Sequence, residues 1–242
     1  MAQAVGDTIY NKSSLVIEAG TGTGKTLAYL APVLLFNKKT IISTGSKNLQ
    51  GQLFNRDLPA IKKALNFTGK IALLKGRANY LCLERLDQVI AQGVLGDKSV
   101  LTDLSKVRKW NNSTKTGDFT ECIELAEDSP IISQLTSTAE SCLGTDCPNY
   151  SECYVAAARR KALNADLVVI NHHLFFADMA VKETGFGELI PHAEVIIFDE
   201  AHQLPDIASQ YFGQSLTSRQ LFDLCKDINI VYRTELKDML QL

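Results

Sequence analysis

Long apolar runs are missing from this 242-residue sequence. No run approaches the roughly 20 apolar residues that a helix needs to cross a bilayer, which excludes an obvious membrane span. Residues 1–10 also lack the basic stretch followed by an apolar stretch that marks a secretory signal. We find no internal repeat and no low-complexity segment. We therefore expect a globular, cytoplasmic protein that does not associate with membranes.

A strong excess of charge is missing too, because the net charge is only -2. This balance gives no global sign of a nucleic-acid-binding protein. Basic residues are nevertheless concentrated between positions 56 and 85, and a phosphate backbone needs positive charge on one face only. They are Arg56, Lys62, Lys63, Lys70, Lys75, Arg77 and Arg85, against Asp57 and Glu84. A solvated helix surface explains Lys62 and Lys63 equally well.

The sequence holds six cysteines, and in a cytoplasmic chain we expect ligands or buried thiols rather than disulfides. The four candidate ligands are Cys82, Cys142, Cys147 and Cys153. Their spacing matches neither the bacterial nor the plant ferredoxin pattern, and on spacing alone zinc, an iron–sulfur cluster and scattered structural thiols all stay open. Cys122 could compete as a ligand, and Cys225 is expected to be a buried thiol.

Short apolar, β-branched runs recur along the chain and are nearly uniform, which is typical of strands buried on both faces of a parallel sheet. They cover residues 15–17, 40–43, 71–74, 167–170 and 195–198. Helical patterns separate or flank them at residues 25–36, 47–65, 78–92, 150–163 and 204–211. This alternation predicts an α/β fold with a doubly wound parallel sheet.

Two regions depart from this alternation. Residues 93–149 contain no convincing strand and several clusters of Ser, Thr and Asn, so we expect an insertion of mainly helical and irregular structure. Residues 215–242 have the pattern of one or two amphipathic helices. Both ends of the chain look truncated as a functional unit, so we expect further parts of the protein beyond it.

Residues 15–26 combine a strand, a glycine-rich loop and a helix start, which is the context of a P-loop that holds nucleotide phosphates. The glycines let successive N–H groups turn toward phosphate, and the helix start adds partial positive charge. Lys25 is placed for the β- and γ-phosphates, and the Thr26 hydroxyl for Mg²⁺. We expect ATP to bind Ala19, Gly20, Thr21, Gly22, Thr23, Gly24, Lys25 and Thr26.

An acidic pair, Asp199 and Glu200, directly follows the apolar run 195–198. The C-terminal tip of a buried strand is where ligands bind in such sheets. We expect Asp199 to hold Mg²⁺ through water and Glu200 to orient or deprotonate an attacking water molecule. Taken alone, Glu200 could simply be a favourable carboxylate at a helix start. His202 could equally be a capping or core histidine.

Four segments together resemble the XPD-like superfamily 2 iron–sulfur DNA helicases, specifically their bacterial DinG/YoaA branch. They are residues 18–26, the Lys-Gly-Arg-Ala-Asn-Tyr-Leu-Cys of 75–82, the Asn-His-His-Leu-Phe of 171–175 and the DEAH box of 199–202. The resemblance covers essentially the whole chain but only the N-terminal part of a helicase. It implies a RecA-like domain, ATP-dependent 5′→3′ translocation on single-stranded or forked DNA, a role in DNA repair, and replication or repair proteins as partners.

The resemblance also implies roles for individual residues. It assigns a [4Fe–4S] cluster to the four candidate cysteines and catalytic roles to Lys25, Glu200 and His202. It implies DNA contacts at Thr44, Gln50, Arg77 and Tyr80. For Arg77 and Tyr80 these contacts make chemical sense, because a cation binds phosphate and a ring stacks on a base. Packing inside the cysteine-bearing region is the alternative for Tyr80.

The domain boundaries that follow are 1–78 and 155–214 for RecA-like helicase domain 1, 79–154 for the iron–sulfur insertion and 215–242 for the start of an arch domain. The adenine-reading segment and the second RecA-like domain of these helicases are not found in the chain. We therefore expect feeble ATPase activity and no unwinding from the chain alone. A P-loop NTPase with a zinc-stabilised insertion and a non-catalytic DNA-binding fragment stay open as other functions.

Overall fold

The structure, a computed structural model, describes residues 1–20, 22–92, 98–138, 141–183, 189–213 and 218. The predicted tail helix over residues 215–242 therefore lies outside the described residues, apart from residue 218. Across the described ranges, no helix has both the length and the apolar character that a membrane span requires.

A parallel sheet forms the centre of the protein. In the described part of the chain its strands are β1 Thr40–Thr44, β2 Ile71–Leu73, β3 Leu167–Asn171 and β4 Val195–Phe198. Their order across the sheet is β2-β3-β1-β4, so β2 and β4 are the edge strands. The two central strands, β1 and β3, are buried along their whole length. Their uniformly apolar sequences follow from this position, because both faces of a parallel sheet are covered.

Helices cover both faces of the sheet. The α-helices of the described residues are α1 Ala2–Asn11, α2 Lys25–Phe36, α3 Lys47–Gln52, α4 Leu58–Ala64, α5 Leu83–Gln92, α6 Lys98–Asn111, α7 Ile131–Leu135, α8 Tyr154–Leu163, α9 His172–Glu183 and α10 Leu204–Phe212. Side chains of α1, α2 and α4 pack with Ile42 of β1 in one core. Side chains of α8 and α9 pack with its neighbour Ile41 in another. Successive strand residues thus enter opposite cores, which confirms the predicted doubly wound α/β fold.

The residues between β2 and α8 pack around a third, separate core. Leu86, Val107, Cys122, Ile131 and Leu135 lie at its centre. Helices α5, α6 and α7 and short 3₁₀ turns form this region, and no sheet strand occurs in its described residues. The predicted helical and irregular insertion is therefore observed. Its exact boundaries, 79–154, stay a prediction.

Some predicted elements differ from the observed ones. Residues 15–17 form no strand, and the side chain of Val16 is 94% exposed. A strand forms only where a neighbour pairs with its backbone groups, and β4 is paired with β1 alone in the described structure. The predicted helix over 47–65 is divided by a π-helical turn at Leu53–Asp57. Helices α1 and α9 were not predicted.

Candidate nucleotide site and cysteine cluster

The glycine-rich loop ends where α2 begins. Gly22 and Gly24 have φ angles of +75° and +80°, a region that residues with a side chain rarely adopt. Gly24 is the N-cap of α2, so the free N–H groups of the first turn point toward the loop, where an anion binds favourably. The Thr23 hydroxyl donates a 2.8 Å hydrogen bond to the Gly20 carbonyl and closes the turn. Ala19 directly precedes this turn, and Thr21 lies outside the described residues.

Lys25 and Glu200 meet although 175 residues separate them. Lys25 Nζ lies 3.4 Å from Glu200 Oε1, and both side chains keep about a quarter of their surface exposed. The backbone of Glu200 has a φ angle of +58°, a left-handed conformation that costs about 1–2 kcal/mol in a residue with a Cβ atom. The fold therefore holds a strained turn directly after β4, and this turn directs the carboxylate at the phosphate-loop lysine.

Asp199 is connected to α2 through Tyr29. The Tyr29 hydroxyl donates a 3.2 Å hydrogen bond to Asp199 Oδ2 and also interacts with the Thr26 hydroxyl. Burial and the adjacent Glu200 carboxylate raise the pKa of Asp199, whereas Tyr29 and Lys25 oppose the rise. Burial and Asp199 raise the pKa of Tyr29 well above its ordinary value, so its hydroxyl stays protonated. The structure thus brings the two predicted Mg²⁺ ligands, Thr26 and Asp199, to the same place.

His172 links the end of β1 to the turn after β4. It is completely buried, with Nδ1 2.7 Å from Ser43 Oγ and Nε2 2.9 Å from the Asp199 carbonyl. Burial lowers the pKa of His172, so the ring is neutral and carries one proton. A carbonyl oxygen only accepts hydrogen bonds. Nε2 therefore donates to Asp199, and Nδ1 accepts from the Ser43 hydroxyl.

His202 lies at the surface beside the acidic pair. Its Nδ1 is 3.4 Å from Glu200 Oε2, and its side chain is 70% exposed. Neighbouring Gln203 covers Gly45, and any side chain added at Gly45 would collide with the Gln203 amide. The turn that follows the acidic pair is therefore fitted against the end of β1. The predicted catalytic histidine contacts Glu200 rather than the core.

Two of the predicted DNA-contacting side chains are fully buried. Thr44 and Gln50 have no exposed surface. The Gln50 amide nitrogen donates to the carbonyls of Leu74, at 2.9 Å, and Val169, at 3.2 Å. Gln50 therefore fastens α3 to β2 and β3. In this arrangement neither side chain presents a surface to DNA.

The other two predicted DNA contacts lie where the sheet joins the insertion. Tyr80 is only 4% exposed, and its hydroxyl accepts a 3.1 Å hydrogen bond from the Lys75 N–H. Burial raises the pKa of Tyr80 to about 12. These contacts match the packing alternative for this ring. Arg77 is partly exposed and donates to the Thr138 carbonyl at 3.2 Å, which leaves part of its guanidinium group accessible.

The four candidate cysteines lie in one neighbourhood. Cys147 and Cys153 act with burial to raise the pKa of Cys82, so the three sulfurs are close enough to interact. Arg159 interacts with both Cys142 and Cys153. None of these cysteines forms a disulfide in the described structure. Cys122 is separate from this group and belongs to the core of the insertion.

The four candidate cysteines can be compared with the ligand arrangements of zinc and of an iron–sulfur cluster. No three His, Cys, Asp or Glu side chains of the described ranges stand close enough to hold a single ion. Zn–S bonds of about 2.3 Å place tetrahedral zinc ligands about 3.8 Å from each other. In a [4Fe–4S] cluster each cysteine binds a different iron, so the sulfurs stand further apart. Four thiolates are the donor set of a [4Fe–4S] cluster and also of a structural zinc ion, so the donor chemistry of the four cysteines fits either group.

Magnesium needs fewer protein ligands than zinc or an iron–sulfur cluster. It keeps several water ligands and takes one or two carboxylates together with substrate phosphates. Thr26 and Asp199 satisfy that pattern without a cage of protein ligands. Tyr29, Ser43 and His172 also belong to the site, although they were not predicted as site residues. Tyr29 could have been found, because it lies one helical turn after Lys25 and therefore on the same face of α2.

Comparisons with known proteins agree with the motifs. Residues 1–119 match the DEAD/DEAH box helicase family. The whole chain is 93% identical to the ATP-dependent DNA helicase YoaA of Haemophilus influenzae and spans 38% of its length. The ATP-dependent helicase DinG of Mycobacterium tuberculosis is 36% identical over 91% of the chain, which spans 36% of that protein. A solved structure of truncated XPD is similar with a TM-score of 0.47 and 19% identity, over 86% of this chain and 53% of that one.

Proposed function

The chain belongs to the DEAD/DEAH box helicases, in the branch that contains YoaA and DinG, and we propose that it is the ATP-binding and cysteine-bearing portion of an ATP-dependent DNA helicase. The observation that carries this proposal is the meeting of Lys25 with Glu200 across the sheet, 3.4 Å apart. A phosphate-binding lysine and an acidic residue that can activate water are the two halves of an ATPase site.

Each residue of the proposed nucleotide site has a separate role. Lys25 exchanges its contact with Glu200 for the phosphate oxygens of ATP, and the free N–H groups at the start of α2 bind the same phosphates. Glu200 then orients a water molecule and accepts its proton as the water oxygen bonds to the γ-phosphorus and ADP leaves. Thr26 and Asp199 would hold Mg²⁺, which would neutralise phosphate charge. Tyr29 and His172 fix the position of Asp199 through its carboxylate and its carbonyl.

Two substitutions separate ATP binding from hydrolysis. We expect Lys25→Ala to abolish binding of a fluorescent ATP analogue. Glu200→Gln keeps the shape of the side chain, so binding should persist. Hydrolysis, measured in this chain continued by the remaining portion of the Haemophilus influenzae relative, should slow by about 10²–10⁴-fold. Lys38→Ala, which alters a partly exposed lysine paired with Glu194, is the matched control and should change neither property. Unchanged ATP binding by the Lys25→Ala variant would contradict the proposed site.

We propose further that Cys82, Cys142, Cys147 and Cys153 hold a [4Fe–4S] cluster. The neighbourhood of the four sulfurs supports this, as does the nearby cation Arg159, which favours the negatively charged thiolates. The test is the iron, zinc and acid-labile sulfide content of anaerobically purified protein, with Cys142→Ser alongside. A cluster requires about four irons and four sulfides per chain, lost in the variant. Stoichiometric zinc without sulfide would identify a structural zinc module instead. Cys122→Ser is the control that should retain iron.

Single-stranded or forked DNA is the proposed substrate, with 5′→3′ movement and a role in DNA repair. The motif resemblance supports the polarity and the repair role, and the accessible part of Arg77 offers a phosphate contact. Unwinding can be measured with duplexes that carry a 5′ or a 3′ tail, using this chain continued by the remaining portion of the Haemophilus influenzae relative. Unwinding of the 5′-tailed duplex alone is expected. Preference for the 3′ tail would reverse the proposed polarity.

A further inference from the structure

A cavity of about 780 Å³ lies at the β2 edge of the sheet, opposite the edge that carries Asp199 and Glu200. Its lining includes Phe54, Ile71–Leu73 of β2 and Ala158 of α8. Phe54 packs against one core of the sheet and Ala158 packs against the other. A cavity lined by both must pass around the outer edge of β2. It is therefore distinct from the nucleotide site.

The backbone of β2 has unused hydrogen-bonding groups at this edge. The Lys70 carbonyl accepts from Leu167 N–H, and Leu74 N–H donates to the Val169 carbonyl. Both bonds point toward β3. Because backbone groups alternate along a strand, those of Ile71 and Leu73 point to the other side. In the described structure they have no backbone partner there, so two donors and two acceptors face the cavity at strand spacing.

The cavity has an apolar floor and a cationic rim. Its floor is apolar, with Ile71, Leu73 and Ala157 among the lining residues. Four exposed cations surround this floor, and within the described residues none of them forms an ion pair: Lys70, Lys115, Arg160 and Lys161. Two carboxylates also line the cavity: Asp118 is neutralised by Lys75, and Glu121 accepts a hydrogen bond from the Thr116 hydroxyl. Four unpaired cations thus face a single carboxylate that has no cationic partner among the described residues. Positive charge therefore dominates the rim.

We propose that this cavity is a docking site for an extended, acidic segment of a partner protein, which adds to the sheet as a strand beside β2. A peptide backbone supplies donors and acceptors that match those of Ile71 and Leu73, and alternate side chains enter the apolar floor. Its acidic residues meet the cationic rim. A nucleic-acid strand carries the right charge, but it has no regular series of amide donors and carbonyl acceptors to pair with a strand edge.

The probe is a short fluorescein-labelled peptide in which valine and glutamate alternate, measured by fluorescence polarisation with the full chain. We expect binding that weakens about tenfold in the double variant Lys115→Glu, Lys161→Glu, because attraction is replaced by repulsion at two positions. The matched control is Lys63→Glu, Lys109→Glu, which reverses two exposed lysines outside the cavity and should leave binding unchanged. Equal binding by all three proteins would overturn the proposal.

Hydrogen exchange can distinguish strand addition from other modes of peptide binding. Hydrogen exchange of the Ile71 and Leu73 amides should slow when the peptide binds, and a peptide with alternate amides methylated should fail to bind. A peptide that alternates valine and lysine should also fail. Binding without protection of these amides would overturn strand addition. Displacement of the peptide by oligothymidylate, with the same dependence on Lys115 and Lys161, would identify a DNA site instead of a peptide site.

Discussion

The ammonium group of Lys75 lies 2.6 Å from Asp118 Oδ2, and the two side chains are only 4% and 7% exposed. Lys75 follows β2, whereas Asp118 lies in the insertion and forms an isolated β-bridge with Tyr80. Lys75 Nζ also donates a 2.9 Å hydrogen bond to Thr120 Oγ1. A buried ion pair therefore joins the insertion to the sheet, and its lysine lies five residues before Tyr80.

Removal of the Lys75 charge should destabilise the protein strongly. Lys75→Met leaves the buried charge of Asp118 without a cation, with only the Thr120 N–H and hydroxyl still donating to it, which costs about 3–5 kcal/mol of unfolding free energy. Urea denaturation measures the loss. Lys38→Met breaks the exposed pair with Glu194 and should cost less than about 1 kcal/mol. Similar losses for the two variants would show that the Lys75 pair is not effectively buried in solution.

Two adjacent histidines should behave differently. His172→Leu removes the hydrogen-bond partner of the Ser43 hydroxyl and of the Asp199 carbonyl. Each group that loses its partner should lower the unfolding free energy by about 1–3 kcal/mol. His173 is exposed, so His173→Leu should change the unfolding free energy by less than about 0.5 kcal/mol. Urea denaturation of both variants measures the difference. An equal response would argue against the hydrogen-bonded link from β1 to the turn after β4.

Gln50 tests whether a predicted DNA contact is instead structural. Gln50→Met removes the two bonds to strand carbonyls and should cost about 1 kcal/mol of unfolding free energy, with no change in affinity for single-stranded DNA. The exposed residue Gln52 supplies the control, Gln52→Met, which should leave stability unchanged. If DNA affinity falls in the Gln50 variant while stability is kept, the original prediction of a DNA contact is favoured.

Tyr80 should make stability fall at alkaline pH. Its pKa is about 12 in the folded protein against 10.0 for an unperturbed tyrosine. Above about pH 10 the unfolded chain loses the proton while the folded chain keeps it, so stability falls until about pH 12, by about 2–3 kcal/mol in total. Melting temperatures over this range should fall less steeply for Tyr80→Phe than for the wild type. Parallel curves would contradict the burial of this hydroxyl.

The central part of the fold could be predicted from the sequence because its signals are local. The strands at β1, β2, β3 and β4 are short apolar runs, and α2 begins directly after the glycine that caps it. Helix α9 was not predicted because it begins at His172, directly after the last residue of β3, with no loop between them. Its start signal was present, since the Asn171 side chain accepts a 2.8 Å bond from Leu174 N–H, as expected of an N-cap.

The long-range contacts of the candidate site could not be predicted in the same way. The distance between Lys25 and Glu200 depends on the order of the strands, and a buried ion pair such as Lys75–Asp118 has no local pattern. The P-loop and the acidic pair predicted the roles of Lys25 and Glu200, but no motif predicted the burial of Gln50 and Tyr80. The burial of a side chain depends on which helix packs against which strand. The order of helices and strands along the chain does not specify that packing.

The position of the insertion, between two hydrogen-bonded neighbours of the sheet, has a consequence for how such a protein can be altered. The chain leaves the sheet after β2 and returns through α8 to β3, which pairs with β2 in register. Because the two strands are parallel, the chain leaves at one end of the sheet and α8 carries it back to the other end, so the insertion lies between the end of β2 and the start of α8. The cysteine-bearing region has its own core, so evolution or an engineer could lengthen or exchange it while the register of the four strands stays the same, provided that Lys75 keeps a buried partner in place of Asp118.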